Sequence, residues 1–282
     1  MSSTGVSLSA RQIVSKIIVY AILGIGSIVI LLPLQWMIST SLKPLSHVFR
    51  FPPEFFPQQV IWQNYPDALT QLPFDLYFRN TLVIVILCLI GEVLVSSVVA
   101  YAFARLRWRG RNTLFIIVLA TMMLPRQVTL IPEFLIFREL GMIDTFGPLI
   151  LPSFFGNPFY IFLLRQYFLT HSRELDQAAV IDGCSRFGVF WRITLPMSKP
   201  VLAAVAIFSF QFHWNDFFRP LIFLFSDDMY TLALGLRFFQ GTFGTEWNSL
   251  MAVSLVVMLP LIVVFFFTQK YFIQGVVFTG YK

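Results

Sequence analysis

The sequence is short of charge. Of its 282 residues only 12% are Asp, Glu, Lys or Arg, about half the share of a soluble globular domain. That leaves too little polar surface for a water-exposed globule of this length and indicates a chain bathed in lipid. Cysteine is scarce as well. Cys88 lies in an apolar run and Cys184 in a loop, so the two thiols give no disulfide framework and read as small packing residues. The three histidines, His47, His171 and His213, fall in different segments. None has a second ligand at the spacing of a metal site, and they do not form the cluster at one depth that an intramembrane enzyme needs. The pattern G-x-x-x-x-G-K-[ST] is missing, so no P-loop cradles ATP. H-E-x-x-H and C-x-x-C are also missing, and Gly24 and Gly26 lack the third glycine of a dinucleotide fingerprint. No internal repeat or low-complexity tract is visible.

Apolar residues are what the chain has in plenty: 57% of it is hydrophobic, with 33 Phe, enough to coat lipid-facing and interhelical surfaces alike. A membrane-crossing helix needs about 20 mostly apolar residues. Six stretches qualify: 17–39, 81–103, 114–134, 146–168, 201–225 and 250–268. The first is too long for the core of a signal peptide and has no small-residue cleavage site after it, so it reads as an uncleaved span. Pro125 and Pro132 predict a kink or an early end in the third, and Pro260 is tolerable in the sixth. The expected fold is therefore all-α: a polytopic membrane bundle of about six transmembrane helices.

The net charge of +6 is explained by topology rather than by nucleic acid. Basic residues gather at Arg105, Arg107, Arg109 and Arg111, and again from Arg165 to Lys199. The positive-inside rule then places both termini in the cytoplasm. The whole chain, 1–282, reads as one membrane domain. Residues 1–16 form a cytoplasmic N-terminus, 42–80 an external loop, 169–200 a cytoplasmic loop and 269–282 a cytoplasmic tail. In the external loop Trp62, Tyr65 and Tyr77 suit an interfacial aromatic belt.

The 169–200 loop is the most informative segment. Ser172 can cap a short helix, with Glu174 and Asp176 complementing its dipole. Gly183 can end that helix in a left-handed conformation. Ser185 can start a second helix on which Phe187, Phe190 and Trp191 share an anchoring face until Pro196 stops it. A short helix with Ala178 and Ala179 at its centre suits docking into a partner's groove.

The run Gln177-Ala178-Ala179-Val180-Ile181-Asp182-Gly183-Cys184, followed by Phe187 to Trp191 and Ile193-Thr194-Leu195-Pro196, resembles the "EAA" signature of binding-protein-dependent ABC importer permeases. Gln177 stands where the signature has Glu, and Cys184 where it has Ala. Gln can still hydrogen-bond, without the charge-assisted contribution. Three further segments are similar to the sugar-importing, maltose-transporter branch of that family and to its smaller permease. They are 124–132 with Gly141 to Thr145, Phe212 to Leu221, and Gln269 to Gly275.

The resemblance implies that Glu174, Gln177, Ala178, Ala179, Asp182, Gly183, Phe187, Leu195 and Pro196 couple the chain to an ATPase. It implies a second homologous permease, two ATP-binding subunits, an extracytoplasmic solute-binding protein and a sugar substrate, in the cytoplasmic (inner) membrane of a bacterium or archaeon. Cofactors of the reaction, ATP and Mg, would sit on the partner ATPase, so this chain would be no enzyme itself. Glu92, in mid-membrane, and Gln211, Asn215 and Asp216 in the fifth span are the candidate pathway residues, because sugars are held by hydrogen bonds and aromatic faces. For Glu92 an interhelical bond to Ser96, Ser97 or a neighbouring helix is an equal alternative. A stand-alone gradient-driven transporter is the rival reading. It would want several buried acids or repeated broken helices.

Overall fold

The computed structural model describes residues 10–241 and 244–277. The outer ends of the expected N-terminal segment and tail, residues 1–9 and 278–282, lie outside the described residues. Among the described residues the regular structure is helical, apart from one two-residue antiparallel pair, β1 (Gln240–Gly241) with β2 (Gly244–Thr245). The single membrane domain expected from the sequence packs internally as two compact units, one of 1–71 with 239–256 and one of 72–238 with 257–282.

The first unit contains α1 (Ala10–Ser41), α2 (Asn64–Gln71) and the first residues of the long last helix. Its most apolar stretch buries none of its own surface within the chain, as befits a helix solvated by lipid or by another subunit. The loop after α1 is fixed by polar contacts. Asn64 donates to the carbonyls of Ser41 (2.8 Å) and Lys43 (2.9 Å). The Lys43 ammonium donates to the Glu54 carbonyl and lies 4.7 Å from the Trp36 ring centre.

The second unit is built around α3 (Phe74–Arg105). Pro73 precedes it and Asp75 complements its dipole, so this helix opens six residues before the 42–80 loop was expected to end. Asn80, too polar to read as span, is buried and donates to the carbonyls of Asp228 (2.8 Å) and Tyr230 (3.0 Å). Tyr77 is likewise buried rather than part of an interfacial belt, because it packs against Gly235, where no side chain stands in its way.

Helices α4 (Arg111–Thr121) and α5 (Arg126–Glu139) follow at 96° to each other. The expected kink of the third span is thus a full break before Pro125, while Pro132 is absorbed within α5. The fourth span is interrupted too. A short α6 (Gly147–Ile150) and a 3-10 segment (Leu151–Phe155) lead to Gly156, at φ +82°, before α7 (Pro158–Thr170). The helices of the 169–200 loop are α8 (Arg173–Ile181), α9 (Arg186–Val189), a π turn (Phe190–Thr194) and α10 (Leu195–Met197). The helical stretch from Arg186 ends at Met197, one residue after Pro196, and the next helix departs from it at 80°.

The fifth span, α11 (Lys199–Trp214), ends eleven residues earlier than hydropathy indicated. Asn215 to Phe217 break it, and α12 (Phe218–Phe223) starts anew, since Pro220 and Asp216 favour a fresh helix start. After α13 (Leu232–Gly235), the last helix, α14 (Trp247–Val277), runs through Pro260. The first nine residues of the expected tail, 269–277, therefore continue the helix. Among the described residues, four helices are long and apolar enough to cross a membrane, or up to six if each bent pair is one span.

Lipid is as apolar as the bundle interior, so close packing rather than transfer from water holds such helices together. The α3 face supplies small residues for this: Ser96, Ser97, Ala100 and Ala104 are all buried. They let α3 meet Tyr160, Leu164 and Phe168 of α7, and Val201 and Val205 of α11. Cys88 packs in a second cluster with Phe137 and Phe223.

Asp144 ties the 223–226 turn to this core. Its carboxylate accepts from the Ser226 hydroxyl and from the amides of Phe225 (2.8 Å) and Ser226 (3.0 Å). Those three bonds, the hydroxyl's first, hold its carboxyl below the usual carboxylate range. A depressed pKa contributes stability at neutral pH that is lost only as pH falls through the folded value, below the ordinary Asp value of about 3.9. Hydrogen exchange of the Phe225 and Ser226 amides should therefore be flat from pH 5 to 8 once corrected for intrinsic rates. In Asp144→Ala it should rise roughly tenfold. Unchanged exchange in that variant would mean the clamp does not hold the turn.

Candidate functional site

Glu92 lies on the buried stripe of α3, facing the ends of two other helices. His213, on the last turn of α11, brings Nε2 to 3.3 Å from Glu92 Oε2. Asn157, which caps α7 by accepting from the Phe159 amide, donates to Glu92 Oε1 at 3.4 Å. Ser96 accepts the Asn157 amide instead of touching Glu92, and Ser97 bonds its own helix at Leu94. Of the interhelical partners considered for Glu92, the neighbouring helices are the ones within reach, and the same side chain also lines a cavity.

An open cavity of about 380 Å³ adjoins this pair. Glu92 and His213 line it together with Arg126, Glu133, Asp216 and Arg219. Arg219 is held at 3.2 Å by Glu133 and at 2.6 Å by the Pro148 carbonyl. Asp216 accepts the Arg219 amide at the start of α12 (3.3 Å). The Arg126 guanidinium stacks over Phe212, 4.0 Å from its centre. The cavity thus offers carboxylates, guanidinium groups, an imidazole and an aromatic face, the chemistry that holds a polyhydroxylated solute.

Of the candidate pathway residues, the structure brings Glu92 and Asp216 to this cavity and leaves Gln211 and Asn215 exposed elsewhere. Asn215 turns back on α11 and donates to the Gln211 carbonyl at 2.8 Å. Sequence reasoning missed Asn157, Arg126 and Glu133, and His213 entered only as a polar interruption of the fifth span. Two signals pointed at them: Gly156-Asn157-Pro158 is a helix-start signature inside an apolar run, and Arg126 follows a proline break. Among the described residues, no group of three His, Cys, Asp or Glu is placed to hold a metal.

The helical element of the 169–200 loop takes the form its residues predict. Ser172 accepts the Glu174 amide (3.1 Å) and Ser185 the Gly188 amide (3.1 Å). Gly183 stands at φ +88° right after Asp182, which closes α8. Gly183 and Cys184 donate their amides to Val180 and Ala179, a C-terminal cap that requires a left-handed residue. No residue of α8 is buried, so Glu174, Gln177, Ala178 and Ala179 all keep accessible surface. One ion pair moors it: Arg105 Nη1 lies 3.5 Å from Asp176, while Nη2 donates to the His171 carbonyl. Burial, and then the Arg105 charge, push the His171 imidazole pKa down, so it stays neutral at pH 7.

The aromatic anchor is narrower than its spacing indicated. Val189, Phe190 and Thr194 are the buried residues, with Phe190 5.1 Å from Tyr101 and Leu195 packed behind it. The π turn rotates the buried stripe toward Phe190. Phe187 and Trp191 consequently stack on each other at the surface, more than half exposed, and Pro196 is exposed beside them.

Broken spans around a polar cavity, and a helix with no buried residue mounted on the bundle through a buried anchor, are the features that the comparisons with known proteins place in a family. The chain belongs to the family described as "binding-protein-dependent transport system inner membrane component", which residues 92–277 match. It is 34% identical over 263 residues to the probable ABC transporter permease protein YurM of Bacillus subtilis, covering 92% of this chain and 86% of that protein. It is 35% identical over 260 residues to the arabinooligosaccharides transport system permease protein AraQ of the same organism, covering 91% and 92%. With the sn-glycerol-3-phosphate transport system permease protein UgpE of Yersinia pestis it shares 32% over 266 residues, covering 92% and 94%. The fold matches a chain of a bacterial ABC transporter involved in the import of alginate, with a TM-score of 0.81 at 24% identity, covering 94% and 99%. The chain is thus a multi-pass permease of the ABC importer type.

Proposed function

We propose that this permease forms half of the solute pathway of an importer for a sugar or sugar-like solute, in the cytoplasmic (inner) membrane of a bacterium or archaeon. A second, homologous permease supplies the other half. A solute-binding protein delivers from outside, and two ATPase subunits, which hold ATP and Mg, dock on the cytoplasmic loop. In this arrangement both termini are cytoplasmic, and residues 42–73 with α2 are external. Relatives named for arabinooligosaccharides and for glycerol 3-phosphate support a polyhydroxylated solute, as does the mixture of groups lining the Glu92 cavity.

The observation that carries the reading is α8. It is a helix with no buried residue, fixed at one end by Arg105 and Asp176 and joined through Gly183 to the Phe190 anchor. Closure of the ATPase dimer would push α8 as a lever. The anchor would pass that motion through α10 into α11 and so to His213 and the cavity. Glu174, Gln177, Ala178 and Ala179 form the contact, Asp182 and Gly183 the joint, and Phe187, Leu195 and Pro196 the transmission. Gln177 accepts or donates a neutral hydrogen bond where a carboxylate would give a charged one.

Purification from the native membrane in mild detergent, with mass identification of co-purifying chains, tests the proposal. Recovery of a second permease and a P-loop ATPase is the expected outcome. Recovery of this chain alone, still moving solute into liposomes without ATP, would overturn it. The buried Glu92–His213 pair would then be the natural core of a gradient-driven transporter.

A further inference from the structure

The turn between α3 and α4 holds more positive charge than its own contacts use. Arg105 is engaged by Asp176 and the His171 carbonyl. Arg107, Arg111 and Arg173 line an open cavity of about 450 Å³ with Trp108, Asn112 and Thr113. No carboxylate lines it; Asp176 borders a neighbouring cavity that Arg107 and Arg173 share and is itself paired with Arg105. Among the described residues, Arg107 and Arg173 have no hydrogen-bond acceptor and no acid at ion-pair distance. Arg111 only reaches the Leu106 carbonyl (3.1 Å) and the Asn112 side chain. Three guanidinium groups around one cavity repel one another unless an anion sits between them. The helix that starts there, α4, adds the positive end of its dipole, and no side chain caps its first turn.

A second, independent feature says what kind of anion. Ile116 and Ile117 are more than half exposed and Leu114 nearly so. They stand three and four residues beyond Thr113 and its neighbours, so an apolar lane climbs α4 directly from the cavity mouth. Trp108 is part-exposed at the same level, as aromatic residues are at a membrane–water boundary. A free inorganic anion would use the arginines and ignore the lane, whereas an acidic protein segment would gain nothing from a lane buried in hydrocarbon. An amphiphile with an anionic head uses both.

The geometry points to a site for the phosphodiester headgroup of an anionic phospholipid, gripped by Arg107, Arg111 and Arg173, with an acyl chain lying along Ile116 and Ile117. Guanidinium groups suit this task because they bind phosphate oxygens in pairs.

The test uses the assembled transporter in mild detergent and native mass spectrometry, with phosphatidylglycerol and phosphatidylcholine as probes. The variant is Arg107→Gln with Arg173→Gln, at two arginines whose side chains make no hydrogen bond or ion pair among the described residues. Wild type should retain phosphatidylglycerol over phosphatidylcholine. The double variant should lose that preference roughly 30-fold, at about fivefold per arginine. Arg107→Lys with Arg173→Lys should keep most of it, and Arg109→Gln, outside the cavity, should keep all of it. Ten-millimolar-scale (~10 mM) inorganic phosphate should not displace the lipid. Equal retention of both lipids by wild type would overturn the assignment, as would an equal loss in Arg109→Gln. Displacement by inorganic phosphate would make it a free-anion site. Loss of the ATPase subunit from the double variant with lipid retention unchanged would make it a protein contact.

Discussion

Gly183→Val should leave the transporter hydrolysing ATP while uptake falls at least about tenfold. Gly183 holds φ +88°, and a Cβ there would meet nothing within 4 Å, so crowding is not the issue. The backbone is. A β-branched residue in left-handed conformation is strained by roughly 1–3 kcal/mol, and tenfold in an equilibrium takes about 1.4 kcal/mol. The strain is relieved by unwinding the cap formed by the amides of Gly183 and Cys184, which frees α8 from α9. The ATPase would then close on a helix no longer rigidly joined to Phe190. Gly183→Asn, which tolerates positive φ, should recover most of the uptake. Paired measurements of hydrolysis and uptake in proteoliposomes check this. Normal uptake by the valine variant would remove Gly183 from the coupling route.

Breaking the Glu92–His213 pair should be the most destabilising single change in the second unit. Both side chains are buried and 3.3 Å apart. Removing one partner leaves the other desolvated and uncompensated, at a cost on the order of 3 kcal/mol. Glu92→Ala should accordingly lower the Tm of the purified complex by on the order of 10 °C. Replacing both residues with Ala should cost less than the sum of the two single alanine changes, with a coupling of at least ~1 kcal/mol. Glu92→Gln alone should be milder than Glu92→Ala, because Asn157 keeps an acceptor. A thermal melt of Glu92→Ala within a degree or two of wild type would show the pair to be solvated through the cavity and structurally idle.

How much of this was legible in the residues differs by region. Helices with one apolar character end to end, such as α1 and α14, could be located from hydropathy, although α1 starts seven residues before its apolar stretch and α14 runs nine residues past its own. The caps of the 169–200 loop were legible in detail, because Ser172, Gly183 and Ser185 act through local backbone geometry that sequence carries directly. Breaks inside the spans were harder. The chain interrupts its fourth and fifth spans at Gly156-Asn157 and Asn215-Asp216, in sequence that remains mostly apolar on both sides. Hydropathy averages over such a break, and only the partner that satisfies the freed backbone, Ser96 for Asn157, reveals it. The cavity was illegible for the same reason. Its groups come from α3, α5, α7 and α11 and the start of α12, and no spacing along the chain brings Arg126 to Phe212. Even the anchor of the coupling element shifted, since a π turn rotates a face by an amount that helical periodicity does not contain.

One consequence of α8 reaches beyond transport. Nine residues of helix with nothing buried cannot hold their shape well alone. A partner that binds only the formed helix stabilises it by mass action, more strongly as the partner becomes more abundant. A copy of this chain made in excess over its ATPase would therefore expose a fraying, cleavable segment with Ile181, Phe187 and Trp191 uncovered, whereas an assembled copy would hide it. The same helix would then mark orphan subunits for proteolysis, and the cell's stock of this permease would follow the supply of its ATPase.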